Sequence, residues 1–456
     1  MLYAKEKFMT TPIYDFVKKY AESGGTRLHM PGHKGVPYLG CEKYDITEIL
    51  GADVLYSAEG IIAESENNVS RLFGAAHSFY STQGSTLAIC AMLALVSRRS
   101  GGEGKPTILA ARNVHTAFVK AAALLDLDVE WLYPEEETHL CSCNITAENL
   151  RETLEKMSKK PRAVYVTSPD YLGNMLDISA LSEVCREFSV PLLVDNAHGA
   201  YLKFLPEDRH PITLGAAMCA DSAHKTLPVL TGGAYLHISK EYEAFCADAR
   251  WAMSLFASTS PSYLTLCSLD LCNKRLSEDY SRRLSETCRE VAKTKDALAE
   301  LGFFIEETEP LKIVINANSS CLQSEDIAEA LRRANIEPEF VDGNYVVLMP
   351  SADTAAEDLA RVRGALEKIN DKKRITELQP LYLSLLHEKA MSIRDAVISK
   401  SEYVDAEKSA GRICAAPTVS CPPAVPVVIS GEKIKVSDVR IFKYYGIKKV
   451  CVVCEM

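Results

Sequence analysis

Apolar-rich runs recur through the middle of the chain: Pro106–Ala111, Val129–Tyr133, Ala163–Thr167, Pro191–Val194, Ala216–Ser222 and Ala234–Ile238. Stretches of helical period separate them: Val114–Leu125, Ala147–Ser158 behind the capping residue Thr146, and Ile178–Phe188. Short runs that stay apolar suit strands buried on both faces, and their alternation with helices predicts a mostly parallel sheet flanked by helices. Ahead of this region, Ile13–Ala21 and Glu64–Phe73 read as helices, and a strongly apolar helix opens at Gly84-Ser85-Thr86. From Pro261 to Leu301 the pattern is that of one long helix or two. Phe303–Ile369 reads strand, helix (Asp326–Ala334), strand (Tyr345–Met349), helix (Thr354–Ile369), a small α+β unit. A charged connector at 371–374 and a tail containing the strand Val427–Ser430 complete the chain. The expected fold class is therefore α/β, with a smaller α+β C-terminal domain. The expected division is an N-terminal arm at 1–40, a large domain at 41–275 and a small domain at 276–456.

Composition narrows the classes that fit. At 456 residues the chain can build two or three domains. Its 47% hydrophobic and 25% charged residues are those of a globular protein with a large core. A net charge of −10 argues against nucleic acid or an anionic membrane as the main partner. The N-terminus lacks a secretory pattern, and no apolar run is long enough to span a bilayer. The 15 cysteines are scattered through apolar stretches and read as buried thiols in a reducing compartment, so the expected location is the cytoplasm. Cys451 and Cys454 have metal-ligand spacing but no second pair beside them, which favours a C-terminal strand over a zinc site.

The candidate chemistry centres on Cys219–Pro228, CADSAHKTLP. Lys225 follows Ser222 and His224 at the end of an apolar run, where a lysine amine can form a Schiff base with an aldehyde. Alone, the stretch reads more readily as an ordinary surface lysine after a strand, because short motifs match by chance. Gly84-Ser85-Thr86 offers free backbone N–H groups and hydroxyls at a helix start, which suits a phosphate and also suits a plain N-cap. His115 begins a helix directly after a strand, and Asp195 ends a buried strand in Asp195-Asn196-Ala197-His198-Gly199. Each has a structural explanation. In sheets of this kind ligands bind beyond the carboxyl ends of the strands, and Ser168, Asp195 and Lys225 all lie just past one. Phosphate turn, histidine, carboxylate and lysine together meet the needs of pyridoxal 5′-phosphate: an amine for the aldehyde, donors for the phosphate, and a carboxylate that keeps the ring nitrogen protonated. The loop Arg27–Gly35, RLHMPGHKG, is either a surface turn or an arm that reaches a site in its own or a neighbouring subunit.

The chain resembles the ornithine/lysine/arginine decarboxylase family, fold type I of the pyridoxal-phosphate enzymes. The resemblance lies in LHMPGHKG (28–35), DITE (45–48), GST (84–86), RNVH (112–115), TSPDYLG (167–173), VDNAHGA (194–200), SAHKTLP (222–228) and CPPAVPVVISGE (421–432). In length it is similar to the short members that lack the N-terminal wing domain. The resemblance implies that Lys225 is the Schiff-base lysine and that Asp195 pairs with the pyridine nitrogen. It implies that His115 stacks on the ring and that His198 lies near the phenolic oxygen. Gly84, Ser85, Thr86, Ser222 and His224 would form the phosphate site, with Lys225, His115 and His198 closest to the chemistry. It further implies decarboxylation of a basic amino acid, arginine first and then lysine or ornithine, in a homodimer or higher homo-oligomer whose 28–35 loop completes a neighbour's site.

The tail departs from the family pattern. Ala416 stands where the family's glutamate aligns, Cys421 replaces a tyrosine, and Ala424-Val425 replaces Gly-Ile. Asn196 replaces the acid that commonly follows the cofactor aspartate, and Leu230–Leu236 (LTGGAYL) is also unusual. A basic substrate needs a carboxylate partner, for which Glu339, Asp342 and Glu432 are the candidates. These changes leave room for a related pyridoxal-phosphate enzyme with another outcome, an aminotransferase or other lyase, or for a cofactor-binding paralogue without turnover.

Overall fold

The computed structural model describes residues 9–98, 104–135, 139–369, 386–419 and 423–455. The connector at 371–374 and Cys421 lie outside the described residues. In chain order the elements are α1 (Pro12–Glu22), α2 (Ile61–Phe73), β1 (His77–Ser81), α3 (Gly84–Ser97), β2 (Thr107–Ala111), α4 (Thr116–Leu125), β3 (Asp128–Leu132), α5 (Ala147–Lys156), β4 (Ala163–Thr167) and α6 (Ile178–Glu187). Next come β5 (Leu192–Asp195), β6 (Met218–Asp221), the single turn α7 (Ala223–Thr226), β7 (Ala234–Ile238), α8 (Cys246–Ser254), α9 (Tyr263–Ser277) and α10 (Tyr280–Glu300). The C-terminal part carries β8 (Phe304–Ile305), β9 (Ile313–Asn316), α11 (Ser324–Arg333), β10 (Phe340–Val341), β11 (Tyr345–Leu348) and α12 (Ala356–Glu367). It ends with α13 (Ile393–Ile398), β12 (Ser401–Asp405), β13 (Thr418–Val419), β14 (Pro426–Val428), α14 (Val436–Tyr444) and β15 (Lys449–Val453).

Strands β1 to β7 form a seven-stranded sheet in the order β1-β7-β6-β5-β4-β2-β3. The apolar runs read from the sequence are β2 to β7, all interior except β3, which lies at one edge. β2 pairs parallel with β3 and β4, and β5 pairs parallel with β6. β7 runs antiparallel to β6 and to β1. Sequence pattern does not announce β1: its residues, HSFYS, are half polar, yet four of the five are buried. Its polar side chains are satisfied internally, with Ser78 bonded to His237 at 2.7 Å and Ser81 to the carbonyl of Gly84 at 2.9 Å.

The chain divides into two compact units, residues 1–95 with 193–283, and residues 96–192 with 284–456. In the first, α1 packs on α2 and α9. α3 is apolar around its whole circumference, and Leu87–Val96 are buried, as expected of a helix enclosed on all sides. α2 stops at Gly74, whose φ of 71° lets its N–H return to Arg71 and Ser70. In the second unit, Thr146 and Asp177 cap α5 and α6 through bonds of 3.1 and 3.0 Å to Asn149 and Ala180. The four-stranded sheet β10-β11-β9-β8 shares a core with α11 and α12, including Ile313, Ile315, Ile327, Leu331, Val346 and Leu359. β15, which carries Cys451, pairs with β12, so that segment is the expected C-terminal strand. No described helix is long and apolar enough to cross a membrane.

Candidate active site

Two parallel strands deliver the first unit's candidate residues to one edge of the sheet. β5 and β6 are in register with Asp195 opposite Ala220, and the N–H of Asn196 extends the ladder to the Ala220 carbonyl at 3.0 Å. Past β5 the chain turns tightly, with Gly199 N–H donating to Asn196 at 2.8 Å, which sets His198 above the strand end. Past β6 it makes the single turn α7, with the Lys225 N–H on the Ser222 carbonyl at 3.0 Å. Pro228 and the extended Leu227 end that turn. The two turns meet through their side chains: Lys225 Nζ lies 2.9 Å from His198 Nε2. His198 and Asp195 are buried, and Lys225 is half-buried. Asp195 accepts from the Ala197 N–H at 3.2 Å through one carboxylate oxygen.

The glycine turn of α3 belongs to the same place. Ser222 Oγ donates to Ser85 Oγ at 2.8 Å, so hydroxyls from two separate elements stand together at the start of a helix. Gly84 has a φ of +70°, and a Cβ there would meet nothing within 4 Å, which leaves open space beside the hydroxyl pair. Thr86 is exposed on the first turn. Gly232 and Gly233 brace this arrangement. The Gly84 N–H donates to Gly232 at 2.7 Å, and the Gly233 carbonyl accepts from the His224 N–H at 3.1 Å. The His224 ring donates to that same carbonyl from Nδ1 at 3.0 Å. Neither glycine tolerates a side chain: a Cβ on Gly232 would lie 2.9 Å from the Thr82 carbonyl, and one on Gly233 would lie 2.3 Å from Val229. The unusual LTGGAYL stretch is therefore the brace that fixes both Gly84 and His224. Burial pushes His224 down, against the pull of the Gly233 carbonyl, and Lys225 lowers it further.

A hydroxyl pair at a helix start, open space at Gly84, a buried carboxylate on the last residue of β5 and an amine past β6 match the groups that a phosphorylated pyridine aldehyde requires. His115 belongs to the second unit. It occupies the N-cap of α4, half-buried, with its Nδ1 accepting from the Ala117 N–H at 3.1 Å.

The acids considered for a basic substrate, all in the second unit, differ in their engagement. Glu432 is paired with the fully buried Arg112 at 3.0 Å and also accepts from the Ile429 N–H at 2.8 Å. Asp342 lies 3.1 Å from His139 and accepts from the Asn344 and Tyr345 backbone. Glu339 is exposed and accepts from the Tyr171 hydroxyl at 2.9 Å. Ala416 is half-buried, and its carbonyl accepts from the Cys414 thiol. A buried group beside the Lys225 turn escaped the sequence reading: Asp221 is contacted by Asn196 at 2.7 Å, His210 at 2.9 Å and His237 at 3.3 Å. The available signal was the period-2 spacing of Cys219 and Asp221 on an otherwise apolar strand.

Comparison with known proteins adds three findings. The model of the Orn/Lys/Arg decarboxylase major domain matches residues 11–323, and that of the Orn/Lys/Arg decarboxylase C-terminal domain matches residues 377–450. Two curated arginine decarboxylases are similar to the chain. That of Bacillus subtilis is 29% identical over 465 residues, covering 95% of this chain and 93% of that protein. That of Halalkalibacterium halodurans is 29% identical over 459 residues, covering 94% and 92%. Among solved structures, the lysine decarboxylase of Francisella novicida superposes with a TM-score of 0.80 at 18% identity, over 98% of this chain and 82% of that one. At that identity the likeness speaks for the fold, which is the expected α/β architecture.

Proposed function

The chain belongs to the Orn/Lys/Arg decarboxylase family, and on that premise we propose that it releases the α-carboxylate of a basic amino acid as carbon dioxide, with arginine favoured, then lysine or ornithine. The cofactor assigned to it is pyridoxal 5′-phosphate. The observation that carries the reading is the meeting of Lys225 Nζ with His198 Nε2 at 2.9 Å beside the Ser85–Ser222 hydroxyl pair. The near full-length similarity to arginine decarboxylases supports the order of substrates.

When bound, the cofactor supplies an electron sink for the pair left on Cα as the carboxylate departs. The chain's own groups do the rest. Lys225 is the residue whose amine would hold the cofactor through its aldehyde. Asp195, buried at the end of β5, is the carboxylate that would face the pyridine nitrogen and keep it protonated. Ser85, Ser222 and Thr86 donate hydroxyls to the phosphate. His224 gives its Nδ1 proton to Gly233, so its Nε2 can donate to a phosphate only as the protonated ring. His198, within reach of Lys225, orients that amine and relays the proton that returns to Cα at Lys225 Nζ. His115 is assigned as the ring that covers the cofactor. Among the acids, Glu432 is already committed to Arg112, which leaves Glu339 and Asp342 as candidates for the substrate's distal cation.

The altered tail at Ala416 favours one rival, an aminotransferase or other lyase outcome on the same cofactor. Separate incubation with arginine, lysine and ornithine, followed by mass detection of agmatine, cadaverine and putrescine, decides between them. One amine with matching carbon dioxide supports the proposal. A keto acid instead of amine moves the reaction to the rival, and a cofactor-loaded protein without turnover makes it a binding paralogue. The same proposal places the enzyme in the cytoplasm as a homodimer or higher homo-oligomer, with residues 1–40 as arm, 41–275 as cofactor domain and 276–456 as small domain.

A further inference from the structure

β5 and β6 run parallel in the register Leu193 to Met218, Val194 to Cys219 and Asp195 to Ala220. The next residues in that register are Asn196 and Asp221, whose side chains therefore lie on one face of the sheet. Both are fully buried. The main-chain ladder reaches the Asn196 N–H, which donates to the Ala220 carbonyl at 3.0 Å. Beyond it each strand closes into its own turn: the Gly199 N–H returns to the Asn196 carbonyl at 2.8 Å, and the Lys225 N–H to the Ser222 carbonyl at 3.0 Å. A side-chain bond spans the two strands where they part, with Asn196 Nδ2 donating to Asp221 Oδ1 at 2.7 Å.

The bond has a fixed direction. His210 Nδ1 accepts from the Ile212 N–H at 3.4 Å, so its ring proton sits on Nε2 and goes to Asp221 Oδ2 at 2.9 Å. Asp221 thus accepts at both oxygens, which obliges the Asn196 carboxamide to present its nitrogen. At its other end Asn196 Oδ1 has no hydrogen bond among the described residues. A buried amide oxygen left unpaired costs stability, so the pose of Asn196 is set by Asp221 and not by satisfying the whole amide. Asn196 directly follows Asp195 and precedes His198 in the same turn, and Asp221 directly precedes Ser222 and the turn to Lys225. The bond therefore sets the separation of two turns whose side chains meet at Lys225 Nζ and His198 Nε2, 2.9 Å apart. Groups that act together in a site must be held to within about 0.5 Å.

We propose that Asn196 and Asp221 are positioning residues of the site, their carboxamide–carboxylate bond clamping the Asp195–His198 turn to the Ser222–Lys225 turn. The inference rests on the reading of those turns as the pyridoxal phosphate site. It gives the pair a polarity that can be reversed. In Asn196→Asp/Asp221→Asn the amide stands on β6, donates its nitrogen across to position 196 and turns its oxygen towards the His210 Nε2 proton, so both contacts are kept. Asn196→Asp alone sets two carboxylates against each other where 2.7 Å now separates donor from acceptor, which is unfavourable with both ionised.

The test is a double-mutant cycle on the full-length chain. Pyridoxal phosphate is removed, hydrogen–deuterium exchange is followed peptide by peptide, and the cofactor is then titrated back through its lysine-linked visible absorption. Asn196→Asp is expected to speed exchange in 196–199 and 222–227 by about tenfold or more, and to weaken cofactor binding by about tenfold or more. Asn196→Asp/Asp221→Asn is expected to return both to within about threefold of wild type. A double variant as impaired as Asn196→Asp, or exchange that rises evenly through β1 to β7, overturns the clamp and leaves the pair a role in core stability alone. If Asn196→Asp does not fold, recovery of folding in the double variant is the same rescue. If neither folds, Asn196→Ala decides, because it removes the bond without adding a charge: faster exchange confined to the two turns supports the clamp, and exchange as in wild type overturns it. Exchange is read without cofactor, so a wild type that takes up no pyridoxal phosphate refutes the reading of the site while the clamp is still judged.

Discussion

In the proposed reaction Lys225 and His198 carry the chemistry, and each makes a different demand on the fold. Lys225 must be a nucleophile held in place, and His198 must reach it. His198→Gln keeps a polar side chain of similar reach but cannot relay a proton. It is expected to lower kcat by about 10²–10⁴-fold while the lysine-linked cofactor's visible absorption remains. Stopped-flow and steady-state rates check this, and an unchanged kcat removes His198 from the proposed path. Asp270 makes a second residue-scale prediction. It accepts from the Tyr14 N–H at the start of α1 and bonds Ser65, and burial pushes its carboxyl up to about 7. The folded state therefore holds this proton more tightly than the unfolded chain. Its contribution to stability is complete below the ordinary carboxylate value and is lost as pH rises through about 7. Measured by urea unfolding, the stability of wild type relative to Asp270→Asn should fall between about pH 4 and 7 and level off above. A difference that stays flat with pH contradicts the assignment.

Elements were legible from sequence where one physical signal dominated. β2, β4 and β5 are buried on both faces and read as apolar runs. α4 and α5 announce their starts through His115 and Thr146. β1 was illegible because its stability comes from partners far along the chain, such as His237 for Ser78, rather than from its own composition. The same reason hid the role of Glu432, whose partner Arg112 is 320 residues away. Lys225, Asp195 and the Gly84 turn were readable because a strand end or helix start fixes their position locally. The engagement of Glu432, and the cluster around Asp221, depend on pairing that no local pattern encodes. The Gly232-Gly233 brace shows how an element acts on the site. Gly232→Ala forces a side chain onto a backbone at φ +93° and into the Thr82 carbonyl. A loss of roughly 1–3 kcal/mol and weaker phosphate retention are expected. Gly364→Ala, in α12 with open space around it, is the control and should be neutral or stabilising by about 0.5–1 kcal/mol. Equal effects from the two would deny the brace.

At the scale of the molecule, the exposed apolar residues concentrate near the N-terminus. Leu28, Leu39 and Leu50 are 91%, 89% and 100% exposed. Large apolar surface of this kind is characteristic of a face covered by another chain, which supports the proposed homodimer. Leu39→Lys together with Leu50→Lys is expected to move sedimentation from dimer towards monomer at the same protein concentration. Unchanged sedimentation would assign those leucines another role.

The central claim is that Lys225 serves a decarboxylation of a basic amino acid, and carboxyl-labelled arginine tests it most directly. Wild-type protein supplied with pyridoxal 5′-phosphate should release labelled carbon dioxide in step with agmatine, and Lys225→Ala should lose that release by at least about a thousandfold together with the lysine-linked visible absorption. Label that stays in solution with arginine, lysine and ornithine alike, or release that persists in Lys225→Ala, would contradict it.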